Sequence, residues 1–404
     1  MSVLVQQNSK VKLWSKPFIL LMTANALLFM VFEMLAPTLP LFVASIGGEA
    51  SHIGLVTGIF MFSAIFIRPF TGMLTNHFSR KLLLNTGVVV CALSTGLYFL
   101  SSNIIVLLLI RIIHGLGFGL ATTYFLTVTA ERIPKDRMGE GIGYFGVGET
   151  IAISMGPIIG ISILETFGFE NLFLNGMAIT LFALFFATFA SRKTIKVKNA
   201  DSNHGKQTLT VKIFEKRAAF PSLLILLVGI AVGSIISFIP LYAVEKEFQL
   251  IAWFFTITAI ASFFARLISG KLYDKMGPYS VLLPFGIITL TGLLVILLGK
   301  NDVHFLIAGA LYGLGFGAIF PTLQTWSLSL VKDYEHESAA SSFFNSFDIG
   351  IGAGSILLGF IAEVYATYKA VYFVAIIALI LYLLLTIVHC KKISVNNQIA
   401  KTSN

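Results

Sequence analysis

Charge is what this chain has least of. Asp, Glu, Lys and Arg make up 12% of its 404 residues, where a soluble domain carries about 25%. A water-soluble fold of that composition would have too little polar surface to face solvent. Thiols are scarce too. Cys91 and Cys390 fall in different apolar runs and no CxxC occurs, which argues against a disulfide framework or a thiolate metal site. The seven histidines show no metal-ligand spacing, so no metal is expected. A GxxxxGKS or GxxxxGKT phosphate loop, GxSxG and HExxH are all missing. Nothing therefore supports direct ATP drive, a nucleophile-elbow hydrolase or a zinc protease. The expectation is a protein that is not an enzyme and holds no cofactor.

What the chain has is apolar length. Hydrophobic residues make up 56% and the mean hydropathy is +0.89. Charge-free runs such as 104–110 and 375–388 sit inside stretches long enough for the roughly 20 residues a helix needs to cross a bilayer. Twelve spans are expected, at 17–43, 53–74, 82–101, 104–130, 139–163, 172–190, 218–243, 250–272, 278–299, 303–330, 338–363 and 369–390. Lys10, Lys12 and Lys16 before the apolar run from Phe18 imitate a signal peptide, but the run is too long for one and reads as a retained first helix.

The net charge of +9 is distributed as topology, not as a nucleic-acid surface. With the N-terminus inside, the inner loops hold Arg80, Lys81, Arg132, Lys135, Arg137, Lys271, Lys275 and Lys332, while the outer side holds Lys246, Lys300 and Lys369. That asymmetry follows the positive-inside rule and puts both termini in the cytoplasm of a cell-membrane protein. The basic segment 191–217 is the one substantial polar linker. It divides the chain into a bundle at 1–190 and a second bundle with a short tail at 218–404.

The halves repeat. Gly115-Leu-Gly-Phe-Gly119 recurs as Gly313-Leu-Gly-Phe-Gly317, 198 positions on, and Arg68 with Gly72 recurs as Arg266 with Gly270 at the same offset. Glu149 finds Asp348 at 199, and Leu39-Pro40-Leu41 finds Ile239-Pro240-Leu241 at 200. Two facing six-helix repeats leave a cavity at the midplane, and rocking one against the other opens it to alternate sides.

The motifs resemble those of the major facilitator superfamily over essentially the whole chain, in its twelve-span drug or metabolite:proton antiporter branch. Gly72-Met-Leu-Thr-Asn76-His-Phe-Ser-Arg80-Lys81 resembles the family loop G-x-L-x-D-R-x-G-R followed by Lys or Arg, with Asn76, His77 and Ser79 departing from it. The copy at Gly270-Lys-Leu-Tyr-Asp274-Lys-Met-Gly277 keeps the Asp and the second Gly. Arg111-Ile-Ile-His114-Gly115 is similar to R-x-x-Q-G, and Gly148 through Gly156-Pro157 to Gly160 resembles the antiporter helix motif. Pro37-Thr-Leu-Pro40 is similar to the P-x-x-P of exporters. Phrases such as Ser237-Phe-Ile-Pro-Leu-Tyr242 bear a lesser likeness to staphylopine-type metallophore exporters. The resemblance implies an all-α membrane fold of two pseudo-symmetric six-helix bundles.

Ionisable residues inside the bilayer are functional candidates by default, because each is costly unless paired or hydrated. Glu33, Arg111, Glu149, Asp348 and His114 are the candidates for proton coupling. Glu33 and Arg111 fall at similar depths, so a link between them is expected, either as a titrating switch or as a fixed pair. Glu149 and Asp348 occupy matching places and serve either a cationic cargo or the coupling proton; packing in the neutral form is the alternative. His114 is either a relay or a packing residue. Asp274, Arg80, Lys81 and Gly277 belong to a gate latch whose first-half anion is lost at Asn76. Arg68 and Arg266 read first as snorkelling to the interface and second as compensating for that loss. Gly148, Ala152, Gly156 and Gly160 line one helix face for close packing, with Pro157 biasing a bend. Tyr124, Tyr144, Tyr242 and Tyr312 are candidates for a cavity lining. The expected function is proton-coupled export of a small organic compound by a monomer in the bilayer, driven by the proton gradient. Proton-coupled import of a sugar or other small solute, or a non-transporting sensor, are the alternatives.

Overall fold

The computed structural model describes residues 13–48, 50–190 and 214–402. Lys10, Lys12 and most of the linker, 191–213, lie outside the described residues. The described residues form helices and no strands. In chain order these are α1 (Lys16–Ser45), α2 (Ala50–Ile67), α3 (Thr71–His77), α4 (Arg80–Leu97), α5 (Ile104–Ala130), α6 (Met138–Ala190), α7 (Ala219–Glu245), α8 (Ile251–Met276), α9 (Tyr279–Leu298), α10 (Asp302–Ser329), α11 (His336–Tyr365) and α12 (Lys369–Thr402). Among the described residues, eleven helical segments are long and apolar enough to cross a membrane.

Two local features turn these elements into twelve spans. The α2 helix tightens into a 3-10 turn at Arg68–Phe70, where Pro69 lacks an N–H, and continues as α3 in the same span. The 53-residue α6 breaks at Gly168, whose φ of 78° suits glycine alone. Beyond the break the chain runs back along α1. Phe173 packs on Phe42 at 4.9 Å, and a Cβ on Gly176 would lie 3.3 Å from Val31. The two arms of α6 are thus separate, antiparallel spans joined by one glycine rather than by the loop the sequence suggested.

The repeat reaches the helix caps. Asn103 accepts from the Val106 N–H at 3.0 Å to start α5, and Asn301 accepts from the His304 N–H at 3.0 Å to start α10. It also governs packing. Gly119 of α5 brings its backbone onto α2, where an added Cβ would lie 2.6 Å from the Ala64 carbonyl. Gly317 of α10 does the same on α8, 2.5 Å from Ser262 Oγ. The first arm of α6 seats Gly148, Ala152, Gly156 and Gly160 against α1; a Cβ on Gly156 would meet Glu33 Cβ at 2.5 Å. Small residues let helices close in this way without a hydrophobic driving force between them. Outward-facing side chains are large and apolar: Ile105, Leu298 and Ile356 are each at least 70% exposed. That exterior suits lipid and not water.

Candidate functional site

Two ion pairs tie the halves together near mid-span. Arg68 at the α2–α3 turn donates to Asp348 of α11, and Arg266 of α8 stands 3.7 Å from Glu149 of α6. The four residues lie roughly 14–18 Å from the helix ends that carry the α3–α4 connection, at 1.5 Å per residue, which is the midplane of a core about 30 Å thick. Arg68 is equivalent to Arg266 in the repeat, and Glu149 to Asp348. Each arginine therefore meets the other half's carboxylate, as in a two-fold interface. The snorkelling expected of the arginines is overturned. Arg68 and Arg266 are 2% and 3% exposed, because helix crossings bring a carboxylate within reach at midplane and a paired charge needs no exit to the interface.

The pairs are completed differently. Asn345 of α11 accepts from Arg68 at 3.4 Å while its own amide donates to the Ile65 carbonyl at 3.2 Å, and the Phe344 ring lies 5.1 Å from the guanidinium. At the other pair the asparagine serves the carboxylate: Asn25 of α1 donates to Glu149 at 3.0 Å. Arg266 lies against Gly146 and 5.9 Å from the Phe320 ring centre. Its Nε and Nη1 are buried without a hydrogen-bond partner.

A second set of contacts closes the end of the bundle that carries the α3–α4 connection, here the latch end. Arg80 donates to Glu337 at the start of α11, to Glu131 after α5 and to the Asp333 carbonyl, the last at 2.8 Å. Lys135 approaches Asp333 at 3.3 Å, and Arg217, the last residue of the linker, reaches Glu335 at 2.5 Å. Asp274 accepts from the Gly139 and Glu140 N–H groups at 2.7 and 2.8 Å. It thereby caps the positive end of α6 with a carboxylate. Gly270 packs on Glu140 Cα, and a Cβ on Gly72 would sit 3.0 Å from Ser338 Oγ. Gly277 ends α8 with a φ of 79°. Asn76 is exposed and Lys81 half-buried; the first-half contact runs through Arg80 instead.

The expected link between Glu33 and Arg111 does not form. Arg111 donates to the Val56 carbonyl at 3.0 Å and to Tyr98 at 3.3 Å, and lies over the Phe60 ring at 4.2 Å. Tyr98 in turn meets His114 Nδ1 at 2.7 Å. Equal depth did not produce contact because Glu33 occupies the α1 face that receives Gly156, while Arg111 turns towards α2 and α4. Glu33 has no hydrogen bond or ion pair with any described residue.

Tyr124 and Tyr242 do not line a cavity. Both are fully buried, and their hydroxyls donate to the carbonyls of Thr71 at 2.7 Å and Ile296 at 3.3 Å. Tyr144 packs on Trp14 at 4.7 Å, and Tyr312 stacks on Phe316 at 6.0 Å. Phe118 and Phe316, equivalent in the repeat, each centre an aromatic group: Phe29, Phe32 and Phe60 around the first, Tyr312, Phe320 and Phe347 around the second. No cluster of three or more metal-ligating side chains occurs among the described residues. The sequence reading missed Asn25, Asn345, Tyr98, Glu131 and Glu337. An isolated amide in an apolar run was the available signal for Asn25. For Glu337 it was the near-match of Glu140 in the first half.

Twelve spans in two equivalent halves, joined by buried charge pairs and latched at one end, define a multi-pass membrane transporter. The family model "Major Facilitator Superfamily" matches residues 21–347 and 247–400, and the chain belongs to that superfamily. It is therefore a transporter of small molecules and not an enzyme. It is 29% identical over 345 residues to the multidrug resistance protein MdtG of Dickeya zeae, covering 81% of this chain and 83% of that one. It is 24% identical over 355 residues to an uncharacterised MFS-type transporter of Methanocaldococcus jannaschii, covering 86% and 91%. Among solved structures it resembles the Escherichia coli fucose:proton symporter FucP (TM-score 0.76, 18% identity, 92% of this chain and 97% of that one). It also resembles the human organic anion transporter MFSD10 (TM-score 0.73, 15% identity, 92% and 99%).

Proposed function

We propose that the protein exports a small organic compound, a drug or metabolite, in exchange for entering protons, by alternating access. In this reading it works as a monomer in the cell membrane with both termini cytoplasmic. The proton gradient is the energy source and no cofactor takes part. The two bundles, 1–190 and 218–404, move as bodies about the linker 191–217.

The observation that carries the reading is Glu33, an intramembrane carboxylate with no partner. It lies about 18 Å from the Ser45 end of α1. An unpaired carboxylate at that depth is costly as an anion and invites a proton. The basic latch end is read as cytoplasmic, so the closed latch seals the cytoplasmic side and leaves Glu33 to be protonated from outside. Arginine cannot exchange a proton here, so a carboxylate and not Arg111 titrates. The multidrug resistance relatives favour export. The likeness to a sugar symporter supports the importing alternative less, since at such identity it speaks to fold alone.

Proteoliposomes with an imposed pH gradient test the reading. One pH unit supplies about 1.4 kcal/mol per proton. The panel holds cationic, neutral and anionic drugs together with sugars. Export driven by an opposing proton gradient is expected, with Glu33→Gln losing the drive but keeping substrate affinity. Intact pH-driven efflux in Glu33→Gln would remove Glu33 from the mechanism. Accumulation alongside protons would establish import, and no movement of any compound would favour a sensor.

A further inference from the structure

The two midplane ion pairs are equivalent by position and unequal in chemistry. Where α11 carries Asn345 to complete Arg68, the first arm of α6 carries Gly146, 199 positions earlier. Glycine offers Arg266 no side-chain acceptor, and the guanidinium points its Nη1 at it, 1.7 Å from where a Cβ would sit. Conversely, Asn25 has no polar equivalent in α7, where 223–225 read Leu-Leu-Ile. Glu149 thus has an amide donor of its own at 3.0 Å and stands 3.7 Å from Arg266, beyond hydrogen-bond reach. The result is a permanently charged arginine, 3% exposed, whose Nε and Nη1 make no hydrogen bond, Nη1 facing Glu149 only at ion-pair range, where Arg68 leaves Nε alone unmet; an aromatic ring centre lies 5.9 Å away. Buried donors of this kind are costly when left unmade. A guanidinium fork matches the two oxygens of a carboxylate, phosphate or phosphonate.

From this we infer that Arg266 is the recognition group for an anionic head on the cargo, with Phe320 beside it to receive an apolar or aromatic body. The inference rests on the transporter reading above and adds the substrate class: an amphipathic anion. Anion and proton take different groups, Arg266 and Glu33. They oppose one another through the conformation each favours and not by competing for one side chain. The first arm of α6 links the two places, with Gly146 and Glu149 towards Arg266 of α8 and Gly156 against Glu33 of α1.

The test uses the full chain purified in detergent and then reconstituted. Phenylphosphonate, benzoate, benzyl alcohol and benzylamine share a ring and differ in charge. Phenylphosphonate and benzoate should raise the unfolding temperature in a saturable way, while the alcohol and the amine should not. Arg266→Gln should weaken anion binding at least tenfold. Gly146→Asn keeps the arginine but puts a Cβ where its Nη1 now lies, so the guanidinium must move aside and can turn to the new amide, and binding should weaken several-fold. That variant and the ligand selectivity of the wild type remain decisive if Arg266→Gln does not fold. Preference for benzylamine, or anion binding unchanged in both variants, overturns the inference. The two readings fail separately. Proton-driven export of a cation that survives Arg266→Gln sinks the anion inference and leaves the exporter. Arg266-dependent anion binding with no proton-driven movement sinks the exporter and leaves the site.

Discussion

Removing the charge of Glu337 should open the latch end. Glu337 has 1% of its side chain exposed, and both of its oxygens accept from Arg80. Deleting one partner of a fully buried pair costs about 3–5 kcal/mol. Here the loss is smaller, since Arg80 is 13% exposed and keeps Glu131 and the Asp333 carbonyl. About 2 kcal/mol is a reasonable figure for Glu337→Gln after that allowance for solvent and remaining partners. If the closed state alone has this contact, the ratio of open to closed molecules rises about 30-fold, at 1.4 kcal/mol per tenfold. Ser338 offers the reporter: it sits under Gly72 at the seam between the halves and is 8% exposed. With Cys91 and Cys390 replaced by Ser, Ser338→Cys should react with a membrane-impermeant maleimide applied at the latch end about 30-fold faster in the Glu337→Gln background. Arg80→Gln also loses Glu131 and the Asp333 carbonyl and should accelerate labelling at least as much; adding Glu337→Gln to it should change little more, since the shared pair is already broken. An unchanged or slower rate in Glu337→Gln would refute the claim that this pair holds the gate shut.

Other changes test separate parts of the structure. Arg111→Lys loses the fork that serves Val56 and Tyr98 and the stacking on Phe60; thermal unfolding in detergent should show a loss of about 1–3 kcal/mol. Gly156→Leu forces α1 away at Glu33 and should cost about 1–3 kcal/mol by the same assay, while Ala152→Gly should cost under half that. Asn76→Asp restores a carboxylate one repeat from Asp274. If it reaches the start of α11 as Asp274 reaches α6, it should slow Ser338→Cys labelling about fivefold, the worth of about 1 kcal/mol at a helix N-terminus; faster labelling would mean that repulsion from Glu337 wins. Arg217→Ala removes the ion pair to Glu335; with Arg217 45% exposed, the unfolding temperature should change little.

The sequence announced what depends on composition and period. Spans, halves and the glycine faces follow from apolar length and a constant offset, and Arg68, Glu149, Arg266 and Asp348 are visible as charges where charge is costly. Partners are a different matter. Arg68 lies 280 positions from Asp348 and Arg266 well over a hundred from Glu149, so no local pattern joins them. The expected Glu33–Arg111 link shows the limit: depth along two helices can be computed from rise per residue, but the direction each side chain faces depends on how α1 and α5 are rotated about their axes. That rotation is set by which small residues meet, here Gly156 with Glu33 and Gly115 with Phe60. Tyr124 and Tyr242 escaped for a related reason. A tyrosine in a span can face a cavity or spend its hydroxyl on a neighbour's carbonyl, and the choice belongs to the adjacent helix.

The halves agree where helices pack and differ where charges are satisfied. Gly119 and Gly317, the caps Asn103 and Asn301, and the paired arginines all repeat, whereas Asn76 faces Asp274, Gly146 faces Asn345, and Asn25 faces an apolar stretch. A rocking pair of bundles needs equivalent backbones, because the same crossing must be available on both sides of the axis. It does not need equivalent chemistry. With identical polar groups, the two ion pairs would weaken together and neither could be kept as a pivot while the other exchanged partners. Asn345 makes Arg68–Asp348 the better-satisfied tie, with only Nε of Arg68 left unmet, whereas Arg266 leaves both Nε and Nη1 unmet. On the alternating-access reading proposed above, this asymmetry would place the pivot at the α2–α11 crossing and the working contact at α6–α8. Asp348→Asn should accordingly lower the unfolding temperature more than Glu149→Gln does, since it removes a direct charge-assisted hydrogen bond, whereas Glu149 meets Arg266 only at 3.7 Å.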